Sequence, residues 1–167
     1  MRARSLLLGG IGVVGAVLIW WMLVLLVPTG GARADPASRM ALGAAALLPG
    51  TAVLAAMLLV QMVVRFATGT FDPTLGRDDR LLVVNQRVIT NTVEQLLCFV
   101  PAMLALSVVT APSRMGMVVA LGLTFAVARL AFWIGYLAAP LLRAPGMAAT
   151  FAVNVTALVC AVCVWLG

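Results

Sequence analysis

Apolar residues occupy five long runs of the chain, and short polar breaks separate the runs. The runs cover approximately residues 6–27, 41–66, 81–106, 115–138 and 145–166. Each is long enough for a transmembrane helix, which needs about 20 predominantly apolar residues. The breaks are rich in Pro, Gly, Asp and Ser, which favour turns. Because backbone polar groups in lipid must be satisfied within the segment, the pattern predicts an all-α integral membrane protein.

Composition and charge support the membrane class. The 167 residues are 64% hydrophobic and 10% charged, with a mean hydropathy of +1.16, whereas soluble domains are only about half apolar. All eleven basic residues are arginines, and the net charge is +6. Because the arginines are scattered between apolar runs, we attribute them to membrane topology and anionic lipids rather than to nucleic-acid binding. The Arg-only, Ala- and Val-rich composition suggests a GC-rich bacterium, and hence its cytoplasmic membrane.

The distribution of arginines predicts the orientation in the membrane. With five spans, six arginines fall on one side: Arg2, Arg4, Arg65, Arg77, Arg80 and Arg143. The other side receives three, namely Arg33, Arg39 and Arg114. Cytoplasmic loops carry an excess of Lys and Arg, so we expect a cytoplasmic N-terminus and an outside C-terminus.

The first apolar run has two interpretations. Arg2 and Arg4 precede it and Ala32-Arg33-Ala34 follows it, an order that also fits a secretory signal peptide with its cleavage site. The run of about 22 residues is longer than the roughly 7 to 15 of a signal h-region, which favours a retained membrane anchor. We therefore expect a retained N-terminal transmembrane helix and loop at residues 1–40.

The third run contains a polar stretch, NQRVITNTVEQ, at residues 85–95. A charged side chain at membrane depth costs roughly 2.5 to 3.5 kcal/mol, so it persists where it faces a partner or a water-filled cavity. At about 100° per residue, Arg87, Asn91 and Glu94 share one face of a helix, and Arg80 lies on the same face. The polar character fades after Gln95, which predicts a pocket open at the cytoplasmic end and apolar further in.

A second polar stripe lies in the fourth run. Arg129, Tyr136 and Arg143 are spaced by seven residues, so they share a face if the helix continues through Pro140. The two stripes together predict a site for a small zwitterionic or anionic ligand. Its carboxylates would contact the arginines, and its ammonium group would contact Glu94.

An ion pair that simply holds two helices together is the alternative interpretation of these stripes. In that case Arg87 or Arg129 would pair with Glu94. One glutamate cannot neutralise the three stripe arginines in a low-dielectric setting. We therefore expect an anionic partner that the sequence itself does not supply.

Two motifs in these runs resemble those of the MAPEG superfamily, the membrane-associated proteins in eicosanoid and glutathione metabolism. They are Arg87-x-x-x-Asn91-x-x-Glu94 and Arg129-x-x-Phe132-x-x-x-Tyr136 with Arg143 seven residues later. The resemblance covers about residues 41–166, and it implies a MAPEG-like four-helix transmembrane domain at residues 41–167. It implies a homotrimer of four-helix protomers, with glutathione between neighbouring protomers toward the cytosol and both ends of each protomer facing away from it. One additional N-terminal helix would return the N-terminus to the cytoplasm, in agreement with the arginine distribution.

The resemblance also implies an activity, a transferase- or peroxidase-like reaction between a thiol and lipophilic substrates from the bilayer. Glutathione, or a related low-molecular-weight thiol, would contact Arg87, Asn91, Glu94, Arg129 and Tyr136, with Arg65 a further candidate. Arg143 matches the arginine that lies beside the glutathione sulfur in the conjugating enzymes. A fixed cation there favours the thiolate, which is the nucleophile.

Two departures from the family pattern keep a second function open. Gln95 and Phe132 stand where conjugating members carry tyrosines, so two hydroxyl groups are absent. The alternative is a non-catalytic MAPEG-type protein that binds lipids or serves as a subunit of a larger membrane complex.

The cysteines and the remaining polar residues suggest no metal or redox site. Cys160 and Cys163 have CxxC spacing, but they lie in an apolar run without polar neighbours, and Cys98 lies deeper than Glu94. Reactive thiols need electropositive, partly exposed surroundings. The sequence contains no histidine, so we expect these cysteines to pack in lipid.

Overall fold

The chain forms an all-helical membrane protein. The computed structural model describes residues 2–27 and 35–166. Its long helices are α1 (Arg2–Leu26), α2 (Pro36–Thr68), α3 (Arg80–Val109), α4 (Met115–Ala138) and α5 (Ala144–Leu166). All five are long and apolar enough to cross a membrane, and no strand occurs in the described ranges. The prediction of five membrane-spanning helices is confirmed. The four-plus-one division stays a prediction, and the possible cleavage site at residues 32–34 lies outside the described residues.

Capping residues set the ends of the helices. Helix α2 begins earlier than the apolar run, because the Asp35 side chain accepts a hydrogen bond of 2.8 Å from the backbone amide of Ser38. The helix ends at Thr68, and the capping residue that follows, Gly69, has a φ of 66°, the left-handed conformation that favours glycine. Asp79 caps α3 in the same way as Asp35 caps α2. These caps place the polar connection between α2 and α3 outside the apolar spans.

The helices alternate in direction, so the arginines collect at the two ends of the bundle. Arg80, at the start of α3, donates a hydrogen bond of 3.2 Å to the carbonyl of Leu137 at the end of α4. Arg39, at the start of α2, donates one of 2.9 Å to the carbonyl of Val108 at the end of α3. The arginine-rich end of the bundle therefore carries the six arginines that the sequence groups together: Arg2, Arg4, Arg65, Arg77, Arg80 and Arg143.

A buried polar network connects α2, α3 and α4 within the membrane-spanning region. The Asn85 side-chain amide donates to the backbone carbonyl of Met57 at 2.9 Å and to Oε1 of Gln61 at 2.8 Å. The indole N–H of Trp133 donates to Oδ1 of Asn85 at 2.8 Å. Because these groups satisfy one another, we interpret the network as a structural contact rather than a ligand site.

Replacing Asn85 by alanine is expected to lower the free energy of unfolding by about 1–3 kcal/mol, because buried polar groups of Gln61 and Trp133 lose a partner. Thr90→Ala is the matched control: Thr90 is exposed on the same helix, and its hydroxyl donates only within α3. Thermal unfolding of both variants in detergent measures the difference. Equal losses in the two variants would contradict the structural role of Asn85.

Candidate functional site

The polar stripe of α3 faces outward from the protomer. Arg87 and Glu94 are exposed and Asn91 is half-buried. The Asn91 side chain donates a hydrogen bond of 3.3 Å to Oε2 of Glu94. Charged groups at this depth are costly beside lipid, so this surface needs a cover of protein, ligand or water.

Arg129 of α4 meets this stripe from inside the bundle, where its side chain is fully buried. Its Nε and Nη2 donate to the hydroxyl of Thr92 at 3.2 and 2.7 Å, and Nη1 donates to Oδ1 of Asn91 at 3.1 Å. The guanidinium also lies 4.3 Å from the centre of the Phe132 ring. Among the described residues, no carboxylate forms an ion pair with this buried cation.

Tyr136 links the remaining two arginines of the site. Its side chain interacts with those of both Arg87 and Arg143, and the Arg143 guanidinium lies 4.7 Å from the centre of the tyrosine ring. The rings of Phe132 and Tyr136 are 5.9 Å apart. The rings of Phe132 and Tyr136 therefore lie between the guanidinium groups of Arg129 and Arg143, and each ring packs against one of them, as cation–π attraction favours.

We call this arrangement the α3–α4 seam, defined by Arg87, Asn91, Glu94, Arg129, Tyr136 and Arg143. The structure thus brings together six of the seven residues that the sequence singles out for the site.

Arg143 reaches the seam by a different path from the one expected. The shared face predicted from the sequence required α4 to continue through Pro140, and this condition is wrong, because α4 ends at Ala138. Proline has no backbone N–H to donate, so a helix is expected to end before it. The chain instead turns back closely against α4. A Cβ atom at Gly135 would overlap the carbonyl oxygen of Leu142, so glycine permits this close approach. The turn places Arg143 over Tyr136.

Arg65, the seventh candidate, lies apart from the seam. Its Nη1 and Nη2 contact Oδ1 and Oδ2 of Asp78 at 3.0 and 2.7 Å, and Nη1 also donates to the carbonyl of Thr70 at 2.8 Å. This two-point ion pair joins the end of α2 to the segment before α3. In the structure as described, the Arg65 guanidinium is therefore occupied by a structural contact.

Glu94 makes no ion pair with any described residue. The alternative in which Arg87 or Arg129 pairs with Glu94 to hold two helices together therefore gains no support from the described geometry. Three guanidinium groups and one carboxylate share the seam without neutralising one another.

Sequence reasoning missed two polar contacts near the seam. Thr92 follows Asn91 in the chain and supplies the shortest hydrogen bond to Arg129, at 2.7 Å. Asn154 of α5 donates to Oε1 of Gln95 at 2.6 Å, so this glutamine side chain is joined to α5. Both residues stand out as polar positions within apolar runs, which is the signal that could have identified them.

The model of the MAPEG family matches residues 11–163, which is most of the chain. The chain therefore belongs to the MAPEG family. With its five apolar helices, it is an integral membrane protein of the superfamily of glutathione and eicosanoid metabolism. The match begins within α1, so it is wider than the part of the chain that carries the two motifs. No curated protein and no solved structure gave a match.

Proposed function

We propose that the protein is a membrane-bound, glutathione-dependent transferase or peroxidase-like enzyme that acts on lipophilic substrates. The observation that carries the proposal is the charge pattern of the α3–α4 seam. Three arginines, and one glutamate that forms no ion pair with any described residue, match a ligand that has carboxylates and an ammonium group. Glutathione has two carboxylates, one ammonium group and a thiol. A related low-molecular-weight thiol would use the same contacts.

The geometry supports a specific role for each residue. Arg87 and Arg129 would bind the carboxylates, with Asn91 between them, and Glu94 would accept hydrogen bonds from the ammonium group. Arg143, packed on the ring of Tyr136, would lie beside the sulfur. A guanidinium is always protonated, so Arg143 favours the thiolate at any physiological pH. In conjugation, the thiolate attacks an electrophilic carbon and forms the new C–S bond. The displaced electron pair leaves with the departing group, or, where an epoxide C–O bond or an activated C=C bond breaks, stays on the substrate and takes a proton from water.

A neighbouring protomer supplies the cover that the exposed stripe needs. Arg87 and Glu94 are exposed in one protomer at membrane depth, which favours a site completed by a second copy of the chain. We therefore propose a homotrimer in the bacterial cytoplasmic membrane, with the arginine-rich end in the cytoplasm. Native mass spectrometry of the detergent-solubilised protein should give a mass of three chains.

A non-catalytic, lipid-binding MAPEG protein, alone or as a subunit of a larger complex, is the second candidate. It is favoured by the hydrogen bond that joins Gln95 to Asn154, because Gln95 occupies the position of one missing tyrosine. Phe132 replaces the other tyrosine and packs beneath Arg129 without a hydroxyl. This candidate predicts lipid binding without thiolate formation.

Replacing Glu94 by glutamine is expected to raise the KM for glutathione about 10-fold and to change kcat much less. The substitution removes the charge opposite the ammonium group, and a hydrogen bond to a charged group contributes about 1.5–3 kcal/mol. Initial rates with a neutral aromatic electrophile measure both constants. Thr90→Ala, another exposed position on α3, is the control. A fall in kcat at unchanged KM would contradict binding of the ammonium group by Glu94.

A further inference from the structure

Helix α1 packs against α5, and small residues allow the close approach. A Cβ atom at Gly12 would overlap the backbone of Pro145, and one at Gly9 would lie 3.6 Å from Cβ of Ala148. Both helices begin at the arginine-rich end. The first turn of α1 is therefore held beside the turn that carries Arg143.

A cavity of about 540 Å³, open at the surface, lies where these two segments meet. Arg4 and Ser5 line it from α1, and Arg143 lines it from the turn between α4 and α5. The rest of the described lining is apolar: Ala139, Pro140, Leu141 and Ala144. Two guanidinium groups thus share one cavity, and no carboxylate is among its described lining residues.

We propose that Arg4 and Arg143 together bind the anionic head group, a carboxylate or phosphate, of a lipid whose apolar chain remains in the bilayer. Guanidinium groups bind both kinds of anion through paired, charge-assisted hydrogen bonds. Neither Arg4 nor Arg143 pairs with a carboxylate of the described chain. The cavity lies at the end of the bundle, where head groups meet a membrane protein.

Arg143 belongs both to this cavity and to the α3–α4 seam, because it also packs on Tyr136. The head group would therefore be held next to the thiol site, and Arg4 would select lipophilic electrophiles that carry an acidic group. This consequence for substrate choice rests on the proposed function. The binding of an anionic lipid by Arg4 does not.

Equilibrium binding to the full-length, detergent-solubilised protein tests the site without any reaction. The probes are oleate, its uncharged methyl ester and lysophosphatidate. The wild-type protein should bind at least one acidic probe about 10-fold more tightly than the ester, the change in affinity for one charge-assisted hydrogen bond. Stronger binding of oleate indicates a fatty-acid substrate, and stronger binding of lysophosphatidate indicates a phospholipid head group. Equal affinity for all three probes would overturn the proposal.

Two matched variants test whether Arg4 causes the preference for acidic probes over the methyl ester. Arg4→Ala should abolish the preference, whereas Arg2→Ala should retain it, because Arg2 is exposed and does not line the cavity. Loss of the preference in both variants would indicate general attraction to positive charge and would overturn the proposal.

A second pair of variants moves α1 without removing Arg4. Gly12→Val introduces a side chain where α1 meets Pro145, so it should also abolish the preference. Gly10→Val has no atom within 4 Å of the new Cβ and should retain it. If Gly12→Val binds the acidic probe with the wild-type preference over the ester, the packing of α1 on α5 does not position Arg4, and that part of the proposal is overturned.

Failure of this inference and failure of the proposed function give different results. If wild-type protein forms no glutathione thiolate but shows Arg4-dependent binding of acidic lipids, the catalytic proposal fails and the lipid site stands. If thiolate forms but no probe is preferred, only the lipid site fails. If the catalytic proposal and the lipid site are both correct, the wild-type protein should have a higher kcat/KM for an acidic lipid electrophile than for its ester. Arg4→Ala should lower the ratio of these two kcat/KM values about 10-fold.

Discussion

The Arg143→Ala variant is expected to conjugate glutathione about 10- to 30-fold more slowly than the wild-type protein at pH 7. A free thiol has a pKa near 8.5, so only a few per cent of it is thiolate at pH 7. A fixed cation beside the sulfur that lowers this pKa by about two units makes most of the bound thiol ionised. Arg143 is the arginine whose contact with Tyr136 places it at the end of the seam.

The pH dependence separates this role from a structural one. Because a lowered thiol pKa matters only where the free thiol is protonated, the rate difference should shrink as the pH rises above about 8.5. Arg143→Lys should recover part of the rate, since it keeps a positive charge. Arg77→Ala, at an exposed position of the same end, is the control and should keep the wild-type rate. A defect in Arg143→Ala that is equally large at high pH would contradict thiol activation.

Replacing Arg129 by methionine is expected to abolish glutathione binding while leaving the ligand-free protein as stable as the wild type, or more stable by about 1–3 kcal/mol. A buried cation without a carboxylate partner is costly, and an apolar side chain of similar length removes that cost. Thr92 remains satisfied, because its hydroxyl donates to the carbonyl of Val88 at 2.7 Å. Asn91 keeps its contact with Glu94.

Thermal unfolding of this variant with and without glutathione measures both effects. The wild-type protein should gain stability in proportion to ligand occupancy, and Arg129→Met should gain none. A ligand-free Arg129→Met protein that is several kcal/mol less stable than the wild type would show that Arg129 supports the fold rather than the ligand.

The sequence predicted the helices and the residues of the seam because both depend on periodicity. Five apolar runs required five spans, and the seven-residue spacing of charged and aromatic residues required shared faces. Positions 87, 91 and 94 of α3 and positions 129 and 136 of α4 therefore lie where their spacing indicates.

The residues that the sequence could not place depend on contacts between distant segments. Arg65 pairs with Asp78, thirteen residues later, across a connection that has no helical periodicity. Arg143 reaches Tyr136 through a turn after Pro140 rather than along a helix. The contact of Gln95 with Asn154 joins α3 to α5, and helix pairing cannot be read from one sequence.

The most direct test of the proposed thiol-activating site is an ultraviolet difference titration of the purified protein with glutathione, run in parallel on Arg143→Ala. A saturable thiolate absorbance at neutral pH in the wild-type protein, absent from the variant, is the result that we predict. If the wild-type protein binds glutathione without producing thiolate, or if both proteins produce it equally, Arg143 does not activate a thiol at this seam.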